Sequence, residues 1–449
     1  MVFTALIFSL VDLFLAMPKN DLHLWPRMTN TSNSLPTTTE VCIIGAGPSG
    51  IVTALFLAKK GIESIVLDKF HFPRPKPCAD CITGNTLRIL KEINPEILPR
   101  LVNSGKMKAM HGIHAFSSNS SKIKFDFLPL EPETTEPSCY TIKREEFDLA
   151  LFEEAKNNQL ITIKESFHVE KIHCSKEEAY VLEKKGEKIS ANIIVNASGS
   201  NSNLQKEAYS QHNKERNTAI GIRGYFENIE ISDPEFCELF LSRKLMPGGI
   251  YISPMSNNQA NVNLVLRIDK LKKYDLDLKK TFQDFLENHP LIRDKFKNAV
   301  QIEKFTGSQL RLGTVKRKIH GDRFIMVGDA AGLIDILSAN GIPQAFMSGK
   351  IAAEHISQAV AISDYSRKNL VSYEKAIFKA TKNYLRLGRL ASPFMRSEKV
   401  LDIVDLLLNK FSKQLGNNKA LEALVYDKKY SWNLINPKYY RRFFFGMKN

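Results

Sequence analysis

Tryptophan is nearly absent from this chain: two of 449 residues, Trp25 and Trp432, both near the ends. Any chemistry that needs paired tryptophans in the middle of a fold is therefore excluded. Cysteine is also sparse, with six (Cys42, Cys78, Cys81, Cys139, Cys174, Cys237) at irregular spacing. That excludes a disulfide framework and points to a reducing compartment. Cys78-x-x-Cys81 has no second CxxC to complete a zinc site. His168 and His173, five apart in a strand-like stretch, would point to opposite faces, so no metal is expected. No uninterrupted apolar run reaches the length of a membrane span, which excludes a polytopic membrane protein. Acids are outnumbered, 48 against 63 Lys and Arg, for a net charge of +15. Such a surplus suits nucleic acid, an anionic membrane surface or a phosphorylated substrate, and does not choose among them. What remains is ordinary: 43% hydrophobic and 25% charged residues. That is enough for a large core, and at about 100–200 residues per domain it allows two to four domains.

Residues 2–17 (VFTALIFSLVDLFLAM) are apolar apart from Asp12, yet no basic residue precedes them and no clean small-residue cleavage site follows. Residues 28–39 are polar. Three readings stay open: translation truly starting at Met28, which is preferred, a membrane-surface anchor, or a cleaved signal. Residues 1–39 are expected to be a disordered leader or an over-extended start.

Val41–Ile44 is a β-branched run. Gly45-Ala46-Gly47-Pro48-Ser49-Gly50 follows, then a helix-like stretch ending at Gly61. This is G-x-G-x-x-G in a strand–turn–helix setting. Gly45 permits the tight turn, Gly47 lets a diphosphate approach the backbone, and Gly50 lets helix and strand pack closely. The helix N-terminus offers free N–H groups and a positive dipole end to phosphates. A second strand, Glu63–Leu67, ends at Asp68, 18 residues after Gly50, where a carboxylate can accept from both hydroxyls of an adenosine ribose. A dinucleotide site follows from this, with FAD and NAD both open.

Nearly 300 residues later, Arg323–Val327 reads as a buried strand. It leads into the small-residue turn Gly328-Asp329-Ala330-Ala331-Gly332 and a helix from Gly341. Two dinucleotide-type turns so far apart argue for one long cofactor across an interleaved domain. Here the chain resembles the FAD-dependent oxidoreductases of the p-hydroxybenzoate-hydroxylase superfamily. The resemblance implies that Asp329 bonds the flavin ribityl chain and that Gly341 and Ile342 present N–H groups to the isoalloxazine. The segment Tyr140–Asp148 is similar to one whose arginine reaches the cofactor, which maps to Arg144. Asn196–Ser202 is similar to the A-D-G-x-x-S turn, with Ser198 where many hydroxylases carry Asp, followed by Gly199. Val169, in a short strand, is expected to contact the adenine through its backbone.

Lys76–Gly84 (KPCADCITG) resembles the K-x-C-G-x-G loop of the geranylgeranyl reductase branch, with Cys78 and Ala79 at its flavin-side positions. Cys81 stands where glycine is common. Met246–Pro254 resembles the branch's L-P-G-Y-x-W-I-F-P strand. Gly249, Tyr251 and Ser253 replace its Tyr, Trp and Phe, so Tyr251 and Ser253 are the expected substrate-cavity residues.

The fold class expected is α/β, α+β overall. A Rossmann-like FAD-binding domain (40–105, 140–205, 307–360) interleaves with a mixed or antiparallel-sheet substrate domain (106–139, 206–306). C-terminal helices (370–386, 397–412) and a tail complete residues 361–449. The favoured function is an FAD-dependent reductase saturating C=C bonds of a hydrophobic prenyl or polyene substrate, with Cys78 the candidate catalytic residue. A flavin monooxygenase and a flavin-binding protein without turnover are the alternatives. No second G-x-G-x-x-G lies between Lys206 and Thr306, so the reductant, NAD(P)H or a protein electron donor, is left open. No nucleic acid is expected. A cytoplasmic location, with peripheral membrane contact through the basic aromatic tail at 428–449, is. The sequence does not fix the oligomeric state.

Overall fold

The β-branched start of the dinucleotide motif becomes strand β1 (Thr38–Ile44), whose last four residues are buried. After the glycine turn, helix α1 (Pro48–Ala58) begins with Pro48 inside its first turn, where a missing N–H is harmless. Strand β2 (Ser64–Leu67) is buried throughout. The computed structural model describes residues 37–382, except 118–121, 128, 132, 201–203, 205–217, 243–244, 246–247, 314–316 and 336–337, together with residues 402 and 406.

Five strands run parallel in the order Phe324–Met326, Lys188–Asn196, β1, β2, Ile161–Lys164. Their buried, β-branched composition is that of a sheet covered on both faces. Val169–Cys174, Ala179–Glu183 and His320–Gly321 extend it to eight strands. Helix Ile342–Ala361 lies along α1 through small residues: a Cβ on Gly349 would come within 2.8 Å of the Ser49 carbonyl oxygen. Ile51, Leu57, Phe147, Phe346 and Tyr373 fill the core beneath.

A second eight-stranded sheet carries Thr218–Glu227, Gln259–Arg267, Gly249–Pro254 and Phe236–Phe240 as successive neighbours. Gly112–Phe116 and Lys122–Asp126 continue it at one side. Helix Leu278–Asn288 covers one face with Phe282, Phe285 and Leu286; the Asp277 side chain caps it by accepting from Lys280 N–H at 2.7 Å. A small sheet of Cys81–Thr83, Cys139–Thr141 and Lys108–Met110 is the third.

Two boundaries differ from expectation. Strand Thr306–Arg311 pairs antiparallel with Thr218–Arg223, so the chain is still in the second sheet past residue 307 and joins the first only at His320. Glycine at 307 permits the close pairing, since a Cβ there would sit 3.0 Å from the Gly221 oxygen. The helix expected at 370–386 is Arg367–Ala380, with the Ser366 side chain accepting from Asn369 N–H at its start. It belongs to the first core, where Leu370, Tyr373 and Ile377 are buried and the Tyr373 hydroxyl donates to Met326 O at 2.5 Å. Of the helix expected at 397–412 only residues 402 and 406 are described, both helical, and residues 1–36 lie outside the described residues. Among the described residues no helix is long and apolar enough to cross a membrane.

Candidate active site

Strands β1, β2, Lys188–Asn196 and Phe324–Met326 are parallel, so their C-terminal ends share one edge of the sheet. Gly45–Gly50, Asp68, Ala197–Gly199 and Gly328–Gly332 all emerge there, the edge at which such sheets bind ligands. Residues as much as 287 positions apart in sequence (Gly45 and Gly332) are thereby brought together.

The glycines of the first turn serve different ends. Gly45 has φ +108°, and a Cβ on it would lie 2.5 Å from Ala197 O, so the first and third turns touch. A Cβ on Gly50 would lie 1.9 Å from Gly45 O. A Cβ on Gly47 would meet only the Arg74 Nη2 atom, at 3.3 Å. Gly47 therefore keeps open a cradle above the start of α1. Ser49 is buried beneath it, its carbonyl accepting from Thr53 Oγ1 at 2.7 Å. Ala46 N–H donates to Asp68 Oδ2 at 2.8 Å and Phe70 N–H to Oδ1 at 2.9 Å. Asp68 is thus fixed under the loop, and each oxygen keeps a lone pair for a ribose diol. Phe167 N–H donates to Asp68 O at 2.8 Å, which sets the strand starting at Val169 beside it.

Sequence reasoning missed Arg74. It is buried against Phe72, whose ring lies 4.8 Å away, and its Nη1 is 3.5 Å from Asp148 Oδ2. Its Nε has no partner among the described residues. A buried cation with Nη2 over Gly47 and an unused Nε–H suits a diphosphate. No motif marked it; only its place above the turn does.

Arg144 opens the helix Arg144–Lys156 and is buried, not a surface arginine. Its Nε and Nη2 grip the two Asp148 oxygens at 2.9 Å each. Burial opposes its charge, but the Asp148 carboxylate outweighs that and keeps the guanidinium protonated. Burial pushes the Cys78 thiol up, partly offset by Arg144, so it rests as a thiol. The Cys78 carbonyl accepts from Asn261 Nδ2 at 2.8 Å. Lys76 lies among Asp329, Arg144, Arg74 and Asp148, and burial lowers its pKa.

At the distal turn, Gly328 N–H donates to Ser348 Oγ at 2.9 Å, tethering the turn to helix Ile342–Ala361. Ser200 Oγ donates to Asp329 Oδ2 at 3.3 Å. A Cβ on Gly341 would lie 2.8 Å from Asp329 Oδ1, so glycine lets the carboxylate reach the helix start. Ile342 N–H donates to Asn340 Oδ1 at 3.2 Å. Ser198 N–H and Oγ both donate to Asn196 Oδ1, and Gly199 turns the chain at φ +78°.

On strand Gly249–Pro254, Ile250 and Ile252 are buried in the second core, so Gly249, Tyr251 and Ser253 share the opposite face. Burial pushes the Tyr251 hydroxyl up to about 12. Ser253 Oγ lies 3.5 Å from Cys81 Sγ. Cys81 also meets Cys139 and Cys237, whose thiols donate toward it and hold it well below the usual thiol range. Ala79 contributes its carbonyl, 3.5 Å from the same sulfur. Cys78 and Cys81 therefore have separate partners, Arg144 and the thiol cluster. Asp80, between them, was not singled out from sequence, nor was Tyr225 of Thr218–Glu227, which bonds it. Among the described residues no group of His, Cys, Asp or Glu could hold a metal.

The FAD binding domain family matches residues 38–349. The chain belongs to this family. It is similar to the digeranylgeranylglycerophospholipid reductase of Methanocaldococcus jannaschii, at 27% identity over 75% of this chain and 81% of that protein. The enzyme of the same name from Thermoplasma acidophilum is 26% identical over 86% and 95% of the two chains. Among solved structures, a geranylgeranyl bacteriochlorophyll reductase-like protein from Thermoplasma acidophilum superposes with a TM-score of 0.73. Its identity is 20%, over 86% of this chain and 95% of that one. A point mutant of the halogenase PltM in complex with FAD gives 0.66 at 17% identity, covering 84% and 83%. At these identities the structural likeness is one of fold. The family member is an FAD-dependent oxidoreductase resembling the geranylgeranyl reductases, with FAD as its cofactor. The open cradle at Gly47, the unused Arg74 Nε and the Gly341 gap beside Asp329 are the features that fit this cofactor.

Proposed function

We propose that this FAD binding domain protein reduces C=C bonds of a hydrophobic prenyl or polyene lipid. The observation that carries the reading is the meeting of two surfaces. The Cys78–Cys81 loop, expected at the flavin, is joined to the substrate sheet by Asn261 Nδ2 to Cys78 O at 2.8 Å and by Ser253 to Cys81. The names of the relatives, digeranylgeranylglycerophospholipid reductases, support the substrate class. FAD held here would, once reduced, supply the hydride, and an acid, for which Cys78 is the candidate, would give the proton to the other alkene carbon.

The chain's own residues bind and orient. Gly45, Ala46, Gly47, Pro48, Ser49, Gly50 and Arg74 receive the diphosphate, and Asp68 and Val169 the adenosine. Arg144, Ser198, Gly199, Asp329, Gly341 and Ile342 line the rest of the cofactor path. Cys78 and Ala79 face the flavin on the substrate side, and Tyr251 and Ser253 line the lipid cavity. Holding an alkene in one pose is where much of the rate acceleration arises. In this reading residues 40–105, 140–205 and 312–380 form the cofactor domain. The remaining described strands form the substrate domain, and the tail at 428–449 touches a membrane surface.

Holoprotein reduced without oxygen, then mixed separately with a digeranylgeranyl lipid and with O₂, tests the reaction. Rapid flavin reoxidation by the lipid, with a saturated product, is expected. Reoxidation only by O₂, with oxygen entering an aromatic product, would make the protein a monooxygenase.

A further inference from the structure

Asp80 takes φ +62°, a backbone conformation uncommon outside glycine, and its side chain is completely buried. Its Oδ2 accepts from the Tyr225 hydroxyl at 2.5 Å and from Asn261 Nδ2 at 2.7 Å. Its Oδ1 has no partner among the described residues. Tyr225 and Asn261 face each other across neighbouring strands of the second sheet. The same Asn261 amide reaches Cys78 O, and Asp80 O accepts from Ile142 N–H at 3.0 Å. The segment carrying Cys78 and Ala79 is thus clamped to one cross-strand pair by a carboxylate held in a strained backbone.

We propose that Asp80 is a positioning residue: its carboxylate, gripped by Tyr225 and Asn261, fixes the Cys78–Ala79 segment against the substrate sheet and sets the gap where flavin and substrate meet. This rests on the cofactor and substrate reading above.

The charge of the clamp matters as well as its shape. Burial pushes the Asp80 carboxyl up to about 7, against the bonds from Tyr225 and Asn261 and the charges of Arg223 and Arg144. Those groups face it from the strands Thr218–Glu227 and Gln259–Arg267 and from helix Arg144–Lys156. Arg223 also lies 3.9 Å over the Tyr225 ring, with Lys143 at 4.9 Å. On its own loop, Cys78 is the titratable neighbour. The native carboxyl therefore holds a proton that the unfolded chain has already released. Its contribution to stability is full below the ordinary Asp range and is lost as pH rises through about 7. An asparagine would keep the geometry, since one amide oxygen can accept both bonds, without that loss. A carboxylate kept at such a cost is consistent with its charge being used: the ionised form accepts charge-assisted bonds, and protonation weakens the grip.

The test compares holoprotein of the wild type, Asp80→Ala, Asp80→Asn and Tyr225→Phe. Alkylation of Cys78, followed by peptide mass spectrometry, reads the clamp. Asp80→Ala is expected to alkylate several-fold faster than wild type, and Asp80→Asn, which keeps both accepted bonds without the charge, at a rate between the two. Thermal melts from about pH 5 to 9 read the charge. Asp80→Asn should melt higher than wild type at alkaline pH, with the gap closing toward the acid end. The acid limb of the kcat/KM profile near neutrality should be present in wild type and lost in Asp80→Asn. Equal Cys78 alkylation in all four proteins, or a melting gap that does not change with pH, overturns the proposal. Should Asp80→Ala not fold, Tyr225→Phe, which removes one donor and keeps the ring, carries the alkylation test. Flavin content is measured separately. A wild type without FAD would sink the cofactor reading, while alkylation and melting still judge the clamp.

Discussion

Gly47 and Gly50 sit three residues apart in one motif, yet they are glycine for different physical reasons. A Cβ at Gly47 meets only the end of the flexible Arg74 side chain, at 3.3 Å, whereas one at Gly50 meets the Gly45 carbonyl at 1.9 Å. Gly47→Val should therefore leave a cooperative melt but abolish FAD retention, and Gly50→Ala should disrupt the fold itself. Circular dichroism melts beside flavin absorbance separate the two; normal flavin content in Gly47→Val would refute the cradle. Asp329 is reached by Ser200 and by the glycine gap at Gly341. Asp329→Ala should weaken FAD binding by about 1.5–3 kcal/mol, the value of a hydrogen bond to a charged group. Titration of apoprotein with FAD measures it, and an unchanged Kd would place the carboxylate away from the cofactor. Cys78→Ala should retain FAD and alter turnover or product pattern. Cys81→Ala, whose sulfur sits among Cys139, Cys237 and Ser253, should change turnover much less. A joint loss in both variants, restored in wild type by reductant, would instead favour a dithiol pair.

Helix Ile342–Ala361 is the element that couples the distal turn to the rest of the cofactor edge. Its small residues let it lie on α1, and Ser348 both accepts from Gly328 N–H and donates to Ala345 O. Ser348→Ala should cost about 1 kcal/mol of stability and lower FAD affinity, because the Gly328–Gly332 turn loses its tether. Gly349→Val should cost more, as its side chain would press into the Ser49 oxygen at 2.8 Å and the Thr53 nitrogen at 3.1 Å. Urea melts and flavin titration of both variants check this; a Ser348→Ala protein with normal flavin affinity would show the turn to be held otherwise. Such elements were legible in the sequence because their signals are contiguous: β-branched run, glycine turn and small-residue helix each occupy a few consecutive positions. The bonds joining Asp80, Tyr225 and Asn261 were not, since they span 145 and 181 residues and no local pattern pairs them. Arg74 was missed for the same reason. Strand Thr306–Arg311 runs across the expected 306/307 boundary because its pairing with Thr218–Arg223 is a property of register, which neither segment carries alone.

Across the whole chain the charge is uneven, and the tail concentrates it. Residues 428–449 carry six Lys and Arg with no acid, interleaved with seven aromatics, Tyr430, Trp432, Tyr439, Tyr440, Phe443, Phe444 and Phe445. The tail lies outside the described residues, so the prediction rests on its composition. Aromatics favour the headgroup region, and each basic residue near an anionic surface contributes about 1 kcal/mol. None of the cofactor residues lies in this segment. Deleting Lys428–Asn449 should leave the flavin spectrum and the reaction with small soluble substrates intact. Binding to anionic liposomes should be lost, and the rate on bilayer-embedded lipid should fall. Full-length binding should weaken as salt rises, since the charge attraction is screened beyond about 10 Å at 0.1 M, while the aromatic part persists. A tail packed on the protein body predicts otherwise: a lower melting temperature, partial flavin loss on truncation, and no liposome binding by either form. Vesicle sedimentation and thermal melts of both forms discriminate. A truncated protein that loses its flavin would make the segment structural, and would leave the relatives' substrates as the ground for a membrane-resident lipid.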